Sequence, residues 1–228
     1  MKNFFNFIKN YHTRSMVKMI FILTFLLFLY TSLCAFSYAK SVSTDISDSV
    51  FRLHVLANND SEEDQALKYK VRDNLINYMN SICTETTSKD EAISIANNHL
   101  DNFKKIAEDT ISANGYNYTV QVQVGNFEFP TKTYGDISLP AGNYDALRVN
   151  IGEAKGQNWW CVMFPPLCFI DVSSGVVPDN SKEVLKNSMN EEDFALVSES
   201  DESSEISFKF KILELFGKSG FMTAKKGI

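Results

Sequence analysis

His54 and Asp60 lie close together in the chain, and Arg52, Asn58, Asp64, Lys68 and Arg72 surround them in sequence. A histidine beside a carboxylate can move protons as a general acid and base. Arg52 and His54 fall on alternate positions of one predicted strand and share a face. Asn58 and Asp60 follow at its end, beside the start of the next predicted helix. Such a strand-end crevice is where α/β proteins often place sites. Simpler roles also account for these residues. Asp60 can cap the helix, and Asp64, Lys68 and Arg72, spaced i, i+4, i+8, can form ordinary helix ion pairs. Arg52 and His54 can hydrogen-bond across a sheet. No nucleophile accompanies them, so the catalytic set is incomplete. Beyond residue 39 the histidines are His54 and His99, and neither sits in a zinc-ligand motif. There is no phosphate-binding Gly-Lys-Ser/Thr loop and no Gly-x-Ser-x-Gly elbow, and Gly152–Gly156 carries no dinucleotide fingerprint. The residues therefore call for no metal, no cofactor and no small-molecule substrate.

Trp159 and Trp160 are adjacent, and adjacent strand residues point to opposite faces. One fills a core; the other covers a second layer or anchors a partner. Cys161 and Cys168 can form a disulfide in an oxidising compartment, or can pack as small buried thiols. Cys83 reads as a buried helix residue.

The elements that position these residues follow from periodicity. Val50–Ala57 alternates as a strand. A helix then starts near Asp60, with Glu62, Glu63 and Asp64 at its positive end, and Leu67, Val71, Leu75 and Met79 on one stripe. Ser88 and Glu91 form a capping box for one long helix that ends at Asn114-Gly115. Tyr116–Val124 is a half-buried strand, and Phe127–Tyr134 is expected to return antiparallel to it. Tyr144–Ile151 and Trp159–Phe164 are further strands, the last apolar on both faces and so expected at the sheet centre. The fold class is α+β: two helices packed on a mainly antiparallel sheet. Residues 49–178 form this domain. Residues 40–48 read as a polar linker, 179–205 as an acidic mobile segment, and 206–228 as a strand or helix followed by a tail.

The N-terminus fixes the compartment. Lys2, Lys9, Arg14 and Lys18 precede an apolar run from Met19 to Tyr30. That is an export signal, with small residues placed for cleavage after Ala39. Residues 17–35 are also long enough to remain as a membrane anchor, so 1–39 is a signal peptide or an anchor. Both readings place the rest of the chain outside. The formal charge of −6 becomes −10 without residues 1–39. An acidic domain does not attract nucleic acid, and that partner is excluded.

Two segments resemble the stage II sporulation protein R family. One runs from Phe51 through Leu53, Val55, Asn58 and Asp60 to Lys68, and on to Val71-Arg72-Asp73. The other runs from Tyr144 to Val149, through Ile151-Gly152-Glu153, and from Asn158-Trp159-Trp160-Cys161 to Cys168. Leu56 and Asn59 depart from the pattern, where Ile and Ser are expected. The resemblance implies a non-enzymatic signal, made in the forespore and exported to the intermembrane space. Its implied partners are the export machinery and a membrane-embedded aspartic protease that processes pro-sigma E. Arg52, His54, Asn58, Asp60, Asp64, Arg72, Trp159 and Trp160 are the expected contacts with that partner. An exported hydrolase of peptide or cell wall using His54 and Asp60, or a wall-binding module, are the alternatives.

Overall fold

The computed structural model describes residues 11–84, 86–167, 177 and 179–198. Compactness divides the chain at Ser41. Helix α1 (Tyr11–Ser49) crosses that point, and its side chains from Met19 to Tyr30 are exposed. By length and composition, Thr13–Ser49 contains a stretch apolar enough to cross a membrane.

From Val42 the described residues form one domain. Strand β1 (Phe51–Leu56) leads to helices α2 (Glu62–Ile82), α3 (Lys89–Asn98) and α4 (Leu100–Ala113). Strand β2 (Val120–Phe129), the short strands β3 (Lys132–Tyr134) and β4 (Ile137–Leu139), then β5 (Gly142–Ile151) and β6 (Asn158–Phe164) follow. Helices α5 (Asp179–Ser188) and α6 (Glu191–Ser198) come last among the described residues. The main sheet has the order β2-β5-β1-β6; β3 and β4 form a separate hairpin. β1 runs parallel to β5 and antiparallel to β6, and β2 is antiparallel to β5. The sheet is therefore mixed within the α+β class.

Alternation along each strand feeds two cores. Phe51, Leu53, Val55, Leu147, Val149 and Ile151 face α2–α4 and pack on Leu67, Val71, Leu75, Phe103 and Ala107. Fully burying a Val, Leu, Ile or Phe side chain in this way contributes about 1.5–3 kcal/mol. Tyr144, Ala146, Val162 and Phe129 face the other way, onto the β3–β4 hairpin, the end of α1, α5 and α6. β1 lies between both layers, which is why all six of its residues are buried.

Several sequence expectations change. Residues 40–48 are not a linker: they continue α1 through Ser49, because Val42 and Ile46 share a helical stripe that seats in the second core. Phe127–Tyr134 is not a separate return strand. β2 runs unbroken to Phe129 and pairs with β5; Pro130, which lacks an N–H, ends it. Among the described residues β6 is an edge strand, not the centre, and Trp159 and Trp160 are half-buried. The long helix divides at His99, whose carbonyl accepts from Phe103 N (3.0 Å) and whose Nδ1 meets Tyr78 Oη (2.7 Å). Within the acidic 179–205 segment, α5 and α6 form, with Leu185 and Val197 fully buried in the second core. Cys168 and the expected strand or helix of 206–228 lie outside the described residues.

Candidate functional site

The residues at the start of α2 serve its termination and the neighbouring loop. Ser61, not Asp60, caps α2: its Oγ accepts from Asp64 N at 3.2 Å. Asp60 instead accepts Gln157 N at 2.6 Å, tying this turn to the β5–β6 loop. Asn58 completes the tie. Its Oδ1 accepts Glu153 N (3.0 Å) and its Nδ2 donates to buried Asp64 Oδ2 (2.8 Å). The fit depends on glycine twice. A Cβ on Gly152, which sits at φ +58°, would meet Asn58, and one on Gly156 would meet the Asn59 carbonyl.

The expected Asp64–Lys68–Arg72 ion-pair ladder does not form. Asp64 is occupied by Asn58, and buried Lys68 donates to Gln65 Oε1 (2.5 Å) and the Gln157 carbonyl (3.1 Å). Burial, assisted by the charge of Arg72, holds the Lys68 ammonium below its usual range. Arg72 pairs with Asp73 at 2.6 Å and lies over Trp159, 4.3 Å from the ring centroid. Trp159 meets Tyr69 edge-on at 5.4 Å.

Arg52 and His54 are on the opposite sheet face, so the single predicted crevice is two separate places. His54 and Asp60 do not pair. Arg52 is fully buried. Its guanidinium lies 4.1 Å from the Phe129 ring centroid and 4.6 Å from that of Tyr144, and Nη2 donates to Tyr134 Oη at 2.7 Å. No carboxylate among the described residues accompanies it, and its Nε and Nη1 have no partner. Burial raises the Tyr134 and Tyr144 phenols despite the nearby positive charge.

His54 stacks on Trp160 (5.7 Å between centroids, 17° between planes). Its Nε2 bonds Asn158 Oδ1 at 2.7 Å. An amide oxygen only accepts, so Nε2 carries the proton and Nδ1 keeps its lone pair. Burial lowers the ring to about 4, despite the Asn158 bond, with Arg148 and Arg52 adding to the depression. The ring is neutral at physiological pH.

Strand register extends this face into two rows. Gln123, Arg148, His54 and Trp160 lie side by side across β2, β5, β1 and β6; Gln121, Asn150, Leu56 and Asn158 form the next row. Arg148 lies 5.2 Å from the Phe127 ring centroid, and Lys132 sits 4.7 Å from that of Trp160. Four partnerless buried atoms belong to these rows: Arg148 Nε, His54 Nδ1, Asn150 Oδ1 and Trp160 Nε1. With the two Arg52 nitrogens, they place most such atoms of the described residues on one face; Trp159 Nε1 is the exception. Native proteins pair nearly all buried polar groups, so this clustering is a property of the face.

Arg148, Asn150, Asn158 and Lys132 were missed in the sequence. The alternation of Arg148 and Asn150 with buried Leu147, Val149 and Ile151 does mark an outer face. Only the parallel β1–β5 register sets them beside His54. Cys161 is buried and disulfide-bonded, while Cys34 and Cys83 are free. Among the described residues no group of His, Cys, Asp and Glu could hold a metal ion.

Residues 47–174 match the family described as Stage II sporulation protein R. The chain is also 41% identical over 143 residues to the Stage II sporulation protein R of Bacillus subtilis (strain 168). That match covers 62% of this chain and 64% of the relative's length. No solved structure matches the chain significantly.

Proposed function

This chain belongs to the stage II sporulation protein R family, and on that premise we propose that it is an exported signal that activates a membrane-bound aspartic protease. That protease then processes pro-sigma E in the mother cell. The observation that carries the reading is the family match over residues 47–174, which spans the described sheet and α2–α4 behind an apolar N-terminal helix. A sporulation signal must be made on one side of a membrane and act on the other, and a leader followed by a folded domain suits that task. In this reading the chain is a ligand: it binds the protease's active arrangement better than its inactive one and so shifts their balance.

The alternative of a hydrolase using His54 and Asp60 has less support. Asp60 is bonded to the Gln157 N–H, and His54 is a neutral, buried ring facing Asn158. The test is to follow pro-sigma E by blotting through sporulation in a strain lacking this protein, with and without an exported copy restored. Processing lost and then regained is the expected result. Normal processing in the deletion strain would overturn the proposal.

A further inference from the structure

Among the described residues β2 is an edge of the main sheet, and it is a long one. Val120–Phe129 pairs with β5 on one side in a single register without a bulge. Gly152 N donates to the Thr119 carbonyl (2.9 Å), which makes Thr119–Gly152 a hydrogen-bonded pair of the ladder. Alternation then turns the backbone N–H and C=O groups of Gln121, Gln123 and Gly125 toward β5, and those of Val122, Val124 and Asn126 away from it. Among the described residues nothing pairs with these outward groups. Val122 and Val124 are half-buried and Gln123 and Asn126 are exposed, so the row is open to solvent. Proteins shield such an edge with lysine, proline or a bulge. β2 has none of these: Pro130 lies past its end, and Glu128 is its one charged residue.

The open stretch reads the same in both directions. Val122-Gln123-Val124 is a palindrome. Antiparallel pairing with a second copy, centred on Gln123, sets Val122 against Val124 of that copy, twice, and Gln123 against its own counterpart. Val122 and Val124 are the residues whose N–H and C=O point outward, so each of these two pairs can exchange two hydrogen bonds. Both valine side chains pack partly buried on the α2–α4 core and would gain a cross-strand neighbour. The two Gln123 amides would meet as donor and acceptor. Charge permits the approach at this place. The chain beyond residue 39 carries −10, so two copies repel, but no charged residue lies between Thr119 and Phe127. In this register Glu128 falls opposite Tyr118 of the second copy, not opposite itself. A strand from an unrelated protein would make no use of the symmetry. We propose that β2 pairs antiparallel with β2 of a second copy about a two-fold axis at Gln123, joining the four strands of each chain into one continuous sheet. The inference goes beyond the signalling reading and does not rest on it.

The protein mass of the full-length chain in detergent micelles, followed by light scattering through a dilution series, tests the pairing. The wild-type protein should weigh two chains and dissociate on dilution. Q123K sets like charges against each other at the axis and should weaken dimerisation at least tenfold. Q123E, which lies beside Arg148 on β5, should weaken it less. Mixing the two variants should restore the dimer, because Lys then faces Glu. Q121K adds the same charge but falls opposite Gly125 of the second copy, and should dimerise like the parent. Both glutamines are exposed, and unchanged melting temperatures would show that the variants fold. A wild-type monomer at every concentration would overturn the proposal and leave the edge to another strand. So would a dimer indifferent to Q123K, which would place the contact elsewhere, the N-terminal helix included. Equal loss in Q121K and Q123K, or no recovery in the mixture, would overturn the two-fold register. Assemblies that grow past two chains would do the same, since a two-fold contact closes at the dimer.

Discussion

Arg52 is the residue whose place was least expected from its type. Its position on β1 was readable, but a guanidinium in a box of Phe129, Tyr144 and Tyr134 depends on strands far away in sequence. Aromatic faces attract a desolvated cation by up to about 2 kcal/mol or more, yet they do not replace a carboxylate. Arg52→Met, of similar shape and without the charge to desolvate, should therefore melt close to or above the parent. Arg52→Ala should cost about 2–5 kcal/mol through the cavity it leaves. Urea unfolding of both variants checks this, and a Met variant as damaged as the Ala variant would mean that the charge itself stabilises the fold. His54 gives a pH signature. Its folded value of about 4 lies below the unfolded 6.5, so below pH 6.5 the unfolded chain binds more protons. Its share of stability is intact above pH 6.5 and falls, by on the order of 2 kcal/mol, as pH drops toward 4. His54→Gln should flatten that part of a melting-temperature profile.

Among the elements, those with local signals were legible. The charged start of α2, the Ser88 capping box (Oγ accepting from Glu91 N, 3.3 Å) and Gly115 at φ +85° after α4 are all written within a few neighbouring residues. What failed depended on pairing. Nothing local tells that β2 continues through Phe127 and seeks β5, or that β6 ends at an edge. The stripe of Val42 and Ile46 was visible, but Ser43, Thr44, Ser47 and Asp48 around it read as linker until the second core supplied a partner. Lys89 joins these pieces, reaching Asp145 Oδ2 at 2.7 Å and the Ser47 carbonyl at 3.1 Å. The join between the β1–α2 turn and the β5–β6 loop is equally specific. Gly156 donates to the Ala57 carbonyl at 3.0 Å, with no room for a Cβ against Asn59. Gly156→Ala should cost about 1–3 kcal/mol, read as a lower urea midpoint with unchanged slope. A wild-type midpoint would show that the turn yields freely.

At the scale of the whole molecule, the family and the N-terminal helix were legible because both rest on contiguous sequence. The division of the candidate contacts between two sheet faces was not, because it depends on which way each side chain leaves its strand. Of the expected contacts, Arg52, His54 and Trp160 share one face, whereas Asp64, Arg72 and Trp159 stand with the helices. The cysteines supply a check on the folded state. Cys161 is disulfide-bonded, and Cys168 is its expected partner. Protein denatured without reductant should then titrate as two thiols, Cys34 and Cys83, or as Cys83 alone if the leader has been removed after Ala39. Reduction should add two in either case, and a gain of none would contradict the bond.

The order of the sheet has a consequence for timing. β1 is made first, yet it lies between β5 and β6, whose pairing residues come roughly ninety or more positions later. A strand at the centre cannot be completed by its neighbours in sequence, and such distant pairings form slowly. A chain threaded through a membrane behind an N-terminal leader, β1 ahead of the later strands, would present β1 as an unfinished edge until Phe164 had emerged. In such a passage the topology would keep the polypeptide loose and postpone closure of the described sheet until β6 had arrived.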